Sequence, residues 1–159
     1  MNDIPRPVDP AGQYHVGIIV EEPEATMAEL TRTQGYEWCE EIGGQVAVWL
    51  PDGPAEIHLR AWYSKTVPHL EIVQAIPGTV WSPAEGSGIH HLGYWVDDVA
   101  DSLTRLEAEG YVREAAGVRP DGEPYWAYLR HPAGIRVELV SQSLRPTMEG
   151  YFERGTVSA

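Results

Sequence analysis

Cysteine is nearly absent from the 159-residue sequence, since Cys39 is the single one and no disulfide can form within the chain. Long apolar runs are also lacking, and no window approaches the roughly 18 apolar residues that a membrane-spanning helix needs. The first 13 residues contain no apolar core of the kind found in a signal peptide. We therefore expect a single domain that resides in the cytoplasm, where a lone thiol stays reduced.

Positive charge is scarce as well, with 11 Lys and Arg residues against 24 Asp and Glu residues and a formal net charge of −13. A surface this acidic repels the phosphate backbone of nucleic acids and the headgroups of anionic lipids. No basic cluster offsets the acidity. We expect neither a nucleic acid nor a membrane among the partners of the protein.

A repeated segment is the most informative feature that is present. YHVGIIVEE, which begins at residue 14, recurs as HHLGYWVDD from residue 90, and the overlay pairs His15 with His91 and Gly17 with Gly93. Each copy then reaches a similar ending, TQGYEW in the first and AEGYVR in the second. This pattern indicates an internal duplication.

Both copies have the same predicted order of elements, a strand, a helix and three further strands, which gives the class α+β with two tandem βαβββ modules. Periodicity, helix caps and turn residues support this order. The predicted strands are 14–20, 45–50, 55–62 and 69–75 in the first copy and 90–96, 111–115, 125–130 and 135–142 in the second, with helices starting at Pro23 and Val99. A single domain, 1–159, would comprise module one (13–75), a linker (76–88), module two (89–142) and a tail (143–159) with a short helix.

Two histidines and two glutamates occupy matching places in the copies. Because side chains alternate along a strand, His15 and His91 point away from the face that each helix would cover. Glu71 and Glu138 interrupt apolar strands at the far end of each copy. A carboxylate in such a strand is costly to bury unless it is paired, hydrogen-bonded or bound to a metal.

These four side chains converge if the copies pair about a pseudo-twofold axis. Two imidazole nitrogens and two carboxylates suit one divalent ion of manganese, iron, cobalt, nickel or zinc. Open coordination positions would remain for water or a small-molecule substrate. His90 is the rival ligand in the second copy, but it lies on the opposite strand face, so we prefer His91.

Four segments together resemble the vicinal oxygen chelate superfamily, also called the glyoxalase and bleomycin resistance superfamily: YHVGIIV, HLEIVQAIPGT, GIHHLGYWVDDV and HPAGIRVELV. The likeness covers residues 13–142 and is greatest to the branch that contains methylmalonyl-CoA epimerases. It implies two βαβββ modules that form an incomplete barrel around a central cleft, in a chain that forms homodimers. Its metal-ligand positions match His15, Glu71, His91 and Glu138.

The resemblance also implies a reaction, which is that of a metal-dependent lyase or isomerase acting through a metal-stabilised enolate. The substrate would be a small oxygenated molecule of aromatic or acyl type. A carboxylate near the ion, Glu138, would remove the proton next to the carbonyl. The segment EIGGQVAV resembles the place of an epimerase's catalytic glutamate, which makes Glu41 a second candidate acid or base.

Two alternatives stay open at this point. The first is a non-haem iron, ring-cleaving dioxygenase, which uses two histidines and one carboxylate, although Glu71 would then occupy a position needed for oxygen or substrate. The second is a metal-free protein that binds an antibiotic or another small molecule. Retention of all ligands argues against it, and the aromatic pocket candidates argue for it: Trp49, Trp62, Trp95, Trp126 and Tyr128.

Overall fold

Eight strands and three α-helices make up the fold in the computed structural model, which describes residues 6–157. The first module contains β1 (Gln13–Val20), α1 (Pro23–Gln34), β2 (Ile42–Leu50), β3 (Gly53–Tyr63) and β4 (His69–Gln74). The second contains β5 (His91–Val96), α2 (Val99–Ala108), β6 (Val112–Val118), β7 (Pro124–Arg130) and β8 (Arg136–Ser141), and α3 (Arg145–Arg154) follows it. The α+β class and the βαβββ modules are confirmed. The predicted limits at residues 1 and 159 lie outside the described residues.

Local sequence signals explain both module helices. α1 has Pro23 in its first turn, and Gly35 ends it in a left-handed conformation with φ of 79°. α2 is capped by Asp98, whose carboxylate accepts a hydrogen bond of 3.0 Å from the backbone N–H of Asp101. Each helix lies on the outer face of its module's strands.

The strands form a closed barrel, in the order β1-β4-β3-β2-β6-β7-β8-β5. β1 and β5 join the modules antiparallel at one seam, and β2 and β6 join them at the other. The second seam pairs Val48 with Gly117 and Trp49 with Ala116. The expected incomplete barrel is therefore wrong, because hydrogen bonds between β2 and β6 close the gap between the modules.

Small residues make β6 hard to predict as a barrel strand. It runs to Val118 and is longer than the predicted segment 111–115, since its sequence VREAAGV is poor in the β-branched and aromatic types that mark strands. A Cβ on Gly117 would lie 2.1 Å from Nε1 of Trp126. The glycine thus leaves the space in which the Trp126 indole packs against β6.

Side chains alternate between the inner and the outer face of the barrel, as the strand pattern of the sequence predicts. Ile19 on β1 belongs to the inner core together with Trp95 of β5, whereas Ile18 packs outward near Met27 of α1. The linker also contributes to the inner core, because Trp81 is completely buried there. Residues 76–88 therefore join the modules and fill part of the interior.

The tail forms the expected helix, α3, which packs against one end of the barrel. Tyr151 and Phe152 are buried in a cluster with Cys39 and Tyr63. The Tyr151 hydroxyl donates a hydrogen bond to the backbone carbonyl of Glu40. This contact fixes the helix beside the start of β2.

None of the helices within residues 6–157 is both long and apolar enough to cross a membrane.

Candidate metal centre

The structure brings His15, Glu71, His91 and Glu138 together inside the barrel. One possible ligand atom from each residue lies within 4.8 Å of the others. The two histidines are 0% and 1% exposed, and the two glutamates 7% and 8%. β1 and β5 supply the histidines at one seam, while β4 and β8, their parallel neighbours, supply the glutamates.

The donor atoms are closely spaced around one point. Nε2 of His15 lies 3.0 Å from Nε2 of His91, and these atoms lie 2.9 and 3.0 Å from Oε2 of Glu138. Oε1 of Glu71 lies 3.2 Å from the His91 Nε2, yet it makes no hydrogen bond of suitable geometry in the described chain. Bonds of about 2.0–2.2 Å to one ion place adjacent donors about 3 Å apart and opposite donors about 4 Å apart. The distance of 3.9 Å from Nε2 of His15 to Oε1 of Glu71 matches an opposite pair, so the set fits a divalent first-row metal.

Two glycines make room for the histidine rings. In the register of β1 and β5, His15 lies opposite Gly93 and Gly17 lies opposite His91. A Cβ on Gly93 would fall 2.0 Å from Cε1 of His15, and one on Gly17 would fall 1.9 Å from Cε1 of His91. Each histidine thus lies over the glycine of the other module, which is a physical reason for the repeated His-x-Gly motif.

Replacing Gly93 by alanine is therefore expected to destabilise the metal-free protein by about 1–3 kcal/mol, the usual cost of overpacking. The added methyl group forces the His15 ring out of its place. Urea unfolding measures the change. In the control Gly150→Ala, the new Cβ meets only the mobile end of Arg154, at 2.8 Å from Nη1, so no loss is expected. Equal midpoints for Gly93→Ala and the native protein would contradict this packing.

Three tyrosines surround the cluster. Tyr63 pairs with Glu71 across β3 and β4, and Tyr128 pairs with Glu138 across β7 and β8. Tyr14 makes an edge contact with His15, with ring centroids 4.4 Å apart. Burial, followed by the charges of the two glutamates, raises the pKa of all three hydroxyls well above the ordinary value. The hydroxyls therefore stay protonated and able to donate hydrogen bonds.

Sequence reasoning missed the roles of Tyr14 and Tyr63. For Tyr63 a usable signal existed, because a tyrosine precedes each ligand glutamate in the strand just before it, Tyr63 before Glu71 and Tyr128 before Glu138.

Mutual attraction shifts the protonation of His91 and Glu138. Burial alone lowers the pKa of His91, but the hydrogen bond and charge of Glu138, together with the close carboxylate of Glu71, raise it to about 9. Burial alone raises the pKa of Glu138, but the hydrogen bonds and charges of His15 and His91 lower it to about 2. Without an ion, the cluster therefore holds a proton on His91 at neutral pH, which a divalent cation would displace.

His90, the rival ligand, lies behind His91 and outside the four-residue cluster. Its Nδ1 is 2.9 Å from the Nδ1 of His91, and its Nε2 is 2.8 Å from the carbonyl oxygen of Val80. Burial, then the charges of His91 and Arg136, lower the pKa of His90 to about 3. His90 is therefore neutral at physiological pH.

Glu41 is not brought to the cluster. Its Oε1 lies 2.6 Å from Nη2 of Arg60, which also contacts Glu24 at 2.9 Å. The hydrogen bond from Arg60 lowers the pKa of Glu41, whose side chain is 40% exposed. Since Ile42 packs toward the core, its neighbour Glu41 points outward. A catalytic role for Glu41 stays a prediction.

A cavity of about 180 Å³ adjoins the cluster on the side of Glu71 and Glu138. Its walls are largely apolar and aromatic, and Leu144 and Met148 from the C-terminal segment contribute to them. Of the five aromatic pocket candidates, Trp126 and Tyr128 line this cavity. The others pack elsewhere: Trp49 and Trp62 toward the helices, and Trp95 against Tyr14.

Residues 14–129 match the family model of the Glyoxalase/Bleomycin resistance protein/Dioxygenase superfamily. A comparison with curated protein sequences gives no significant match.

Solved structures of low sequence identity share the fold. Methylmalonyl-CoA epimerase from Mycobacterium tuberculosis aligns with a TM-score of 0.57 and 19% identity over 87% of this chain and 91% of its own. A variant of the Streptomyces coelicolor methylmalonyl-CoA epimerase, in complex with 2-nitronate-propionyl-CoA, aligns with a TM-score of 0.55 and 18% identity. That alignment covers 81% of this chain and 95% of the epimerase. At these identities the likeness establishes the fold.

Proposed function

Because the chain belongs to the glyoxalase/bleomycin resistance protein/dioxygenase superfamily, we propose that it is a divalent-metal-dependent isomerase or lyase. It would act through an enolate of a small oxygenated substrate. The observation that supports this proposal is the buried set of two imidazoles and two carboxylates beside an apolar cavity. A divalent ion held by the four side chains would offset the negative charge that develops on a carbonyl oxygen.

Glu138 is the proposed base of the reaction. Its carboxylate lies between the histidines and also lines the cavity, so it adjoins both the metal centre and the space for substrate. Without an ion, the histidines lower its pKa to about 2, so the carboxylate is ionised at neutral pH but is a weak base. To accept the proton from the carbon next to the carbonyl, it would depend on the metal to acidify that proton. The neutral hydroxyl of Tyr128, which lines the cavity, would be a donor for the oxygen that gains charge, whereas the Tyr63 hydroxyl already bonds to Glu71.

The cavity supports a compact substrate with an apolar or aromatic part. Its volume of about 180 Å³ suits a short acyl group or one ring, and its lining includes Tyr125, Trp126 and Tyr128. Among the residues that line it, the described chain offers no Lys or Arg for an anionic group. The charged portion of any larger substrate would therefore have to extend outside this cavity.

The two alternatives fit the donor set less well. A ring-cleaving dioxygenase uses two histidines and one carboxylate, but here Glu71 adds a fourth buried donor within 3.2 Å of His91. A metal-free binding protein has no need for two carboxylates buried among histidines, where the proton on His91 adds only a single positive charge beside them. The homodimer and the cytoplasmic location stay predictions from the sequence.

Elemental analysis after dialysis against metal-free buffer tests the metal centre. We expect about one divalent ion per chain in the native protein and at least tenfold less in His91→Ala, which removes a buried donor. Absence of metal from both, with no uptake of added manganese, cobalt, nickel, zinc or ferrous iron, would overturn the proposal. Metal-free binding of small aromatic molecules would then favour the binding protein.

Deuterium exchange tests the enolate chemistry. Acyl thioesters and α-hydroxyketones in D₂O should exchange the proton next to the carbonyl, and nuclear magnetic resonance detects the exchange. Iron-dependent oxygen uptake without exchange would favour the dioxygenase. The same assay on Glu41→Gln tests the role proposed for Glu41: loss of exchange would support it, and retained exchange would leave Glu138 as the base.

A further inference from the structure

Two consecutive hydrogen bonds lead from the linker to the metal centre. The carbonyl oxygen of Val80 lies 2.8 Å from Nε2 of His90, and Nδ1 of His90 lies 2.9 Å from Nδ1 of His91. The other ring nitrogen of His91, Nε2, faces the two carboxylates of the cluster. His90 therefore connects a backbone group to the far side of a proposed ligand.

The direction of these bonds follows from the chemistry of the groups. A carbonyl oxygen can only accept, so Nε2 of His90 must donate and carries a hydrogen. The contact between the two Nδ1 atoms needs one hydrogen between them. Nε2 of His91 faces the cluster, so a His91 that offers this nitrogen to a metal keeps its hydrogen on Nδ1. Nδ1 of His90 is then the acceptor, and Val80 holds the hydrogen of His90 on Nε2.

The surroundings of His90 enclose its ring. The residue is 3% exposed, and no carboxylate of the described chain makes a hydrogen bond to its ring. Arg136 donates to the His90 carbonyl oxygen at 3.1 Å and adds positive charge nearby, although Glu114 pairs with it. On its remaining side lies the aromatic ring of Tyr128, with centroids 5.5 Å apart. Both nitrogens of the enclosed ring are therefore held, one by Val80 and the other by His91.

We propose that His90 is a positioning residue, which holds the hydrogen of His91 on Nδ1 so that Nε2 presents its lone pair to the metal. This role extends the proposed function and rests on it, because it requires that the cluster binds a metal ion. The acceptor that orients a metal-bound histidine is commonly a carboxylate, carbonyl or water, whereas here it is a second histidine.

The arrangement breaks the symmetry of the two modules. His15 occupies the place of His91 in the first module, but its Nδ1 finds no hydrogen-bond partner among residues 6–157. The residue before it is Tyr14, which stacks on Trp95 with ring centroids 3.9 Å apart. Only the second module therefore holds its histidine in a fixed tautomer through the preceding residue.

Nitrogen-15 nuclear magnetic resonance of the metal-free, histidine-labelled protein, at a pH above 9 where the His91 ring is neutral, tests the hydrogen positions directly. We expect a protonated Nδ1 with a bare Nε2 on His91 and, on His90, a protonated Nε2 with a bare Nδ1. An unprotonated His91 Nδ1 in the native protein would overturn the proposal.

Two matched variants test the effect on metal binding. His90→Leu removes the acceptor, and we expect the affinity for cobalt or zinc to fall 10–100-fold, as for other groups that orient ligands. In His90→Asn the side-chain oxygen can replace Nδ1 as acceptor, so affinity within about threefold of native and a hydrogen-bonded His91 Nδ1–H are expected. Equal affinities in both variants would overturn the role. If the leucine variant fails to fold, His90→Gln, whose amide reaches toward Val80 instead, takes its place with the same expected loss.

The experiment separates this role from the proposed function. Native metal binding with an unprotonated His91 Nδ1 would overturn the positioning role alone. The expected protonation without any metal binding would overturn the metal-dependent function, and the positioning role would fall with it.

Discussion

Replacing Glu138 by alanine is expected to lower the affinity for a divalent ion at least about 100-fold, beyond the loss typical of groups that only orient ligands. Oε2 of Glu138 lies 2.9 Å from Nε2 of His15 and 3.0 Å from that of His91, so the change removes the negative charge shared by both imidazoles. It also removes the proposed base, and deuterium exchange should disappear. Titration calorimetry and the exchange assay measure the two effects.

Two further variants separate the roles of this carboxylate. Glu138→Gln keeps the size of the side chain but loses its charge and basicity, so metal retained without exchange would identify Glu138 as the base. Glu56→Gln removes a carboxylate from an exposed position on β3 and should change neither property. Unchanged metal content and affinity in Glu138→Ala would exclude Glu138 from the metal centre.

Much of the fold could be predicted because its signals are local. Gly35 and Asp98 mark helix boundaries, and apolar alternation marks the first strand of each module. Closure of the barrel depends instead on two pairs of residues between β2 and β6, which are far apart in the chain. The segment VREAAGV gives little apolar pattern from which that pairing could be inferred.

The metal-ligand candidates could be predicted because the duplication places a histidine and a glutamate at matching points of each module. The residues around these candidates could not be predicted, since their positions depend on the register of the strands and on how the linker folds into the interior. Tyr63 reaches Glu71 only through the pairing of β3 with β4, and His90 reaches Val80 only because the linker folds inward. The position of Glu41 also depends on the fold, because strand alternation turns it toward Arg60, and its catalytic role stays a prediction.

Metal affinity of the native protein is expected to fall about tenfold for each pH unit below 9, because the ion competes with the proton on His91. Glu138 and Glu71 raise the pKa of this imidazole to about 9 against the effect of burial, so it is protonated in the metal-free protein at pH 7. Binding should then release about one proton per ion at pH 7 and none well above pH 9. Calorimetry in buffers of different ionisation enthalpy measures the released proton.

Glu71→Gln provides the matched variant, since loss of one carboxylate should lower the pKa of His91 and move the onset of the affinity loss to lower pH.

The stability of the metal-free protein should change with pH in the opposite direction to its metal affinity. A pKa raised from 6.5 stabilises the fold fully below pH 6.5, and that contribution is lost as pH rises through 9. The stability of the metal-free protein should therefore decline over the window in which metal binding strengthens. A metal affinity that stays constant between pH 6 and 8 would show that His91 does not exchange its proton for the ion.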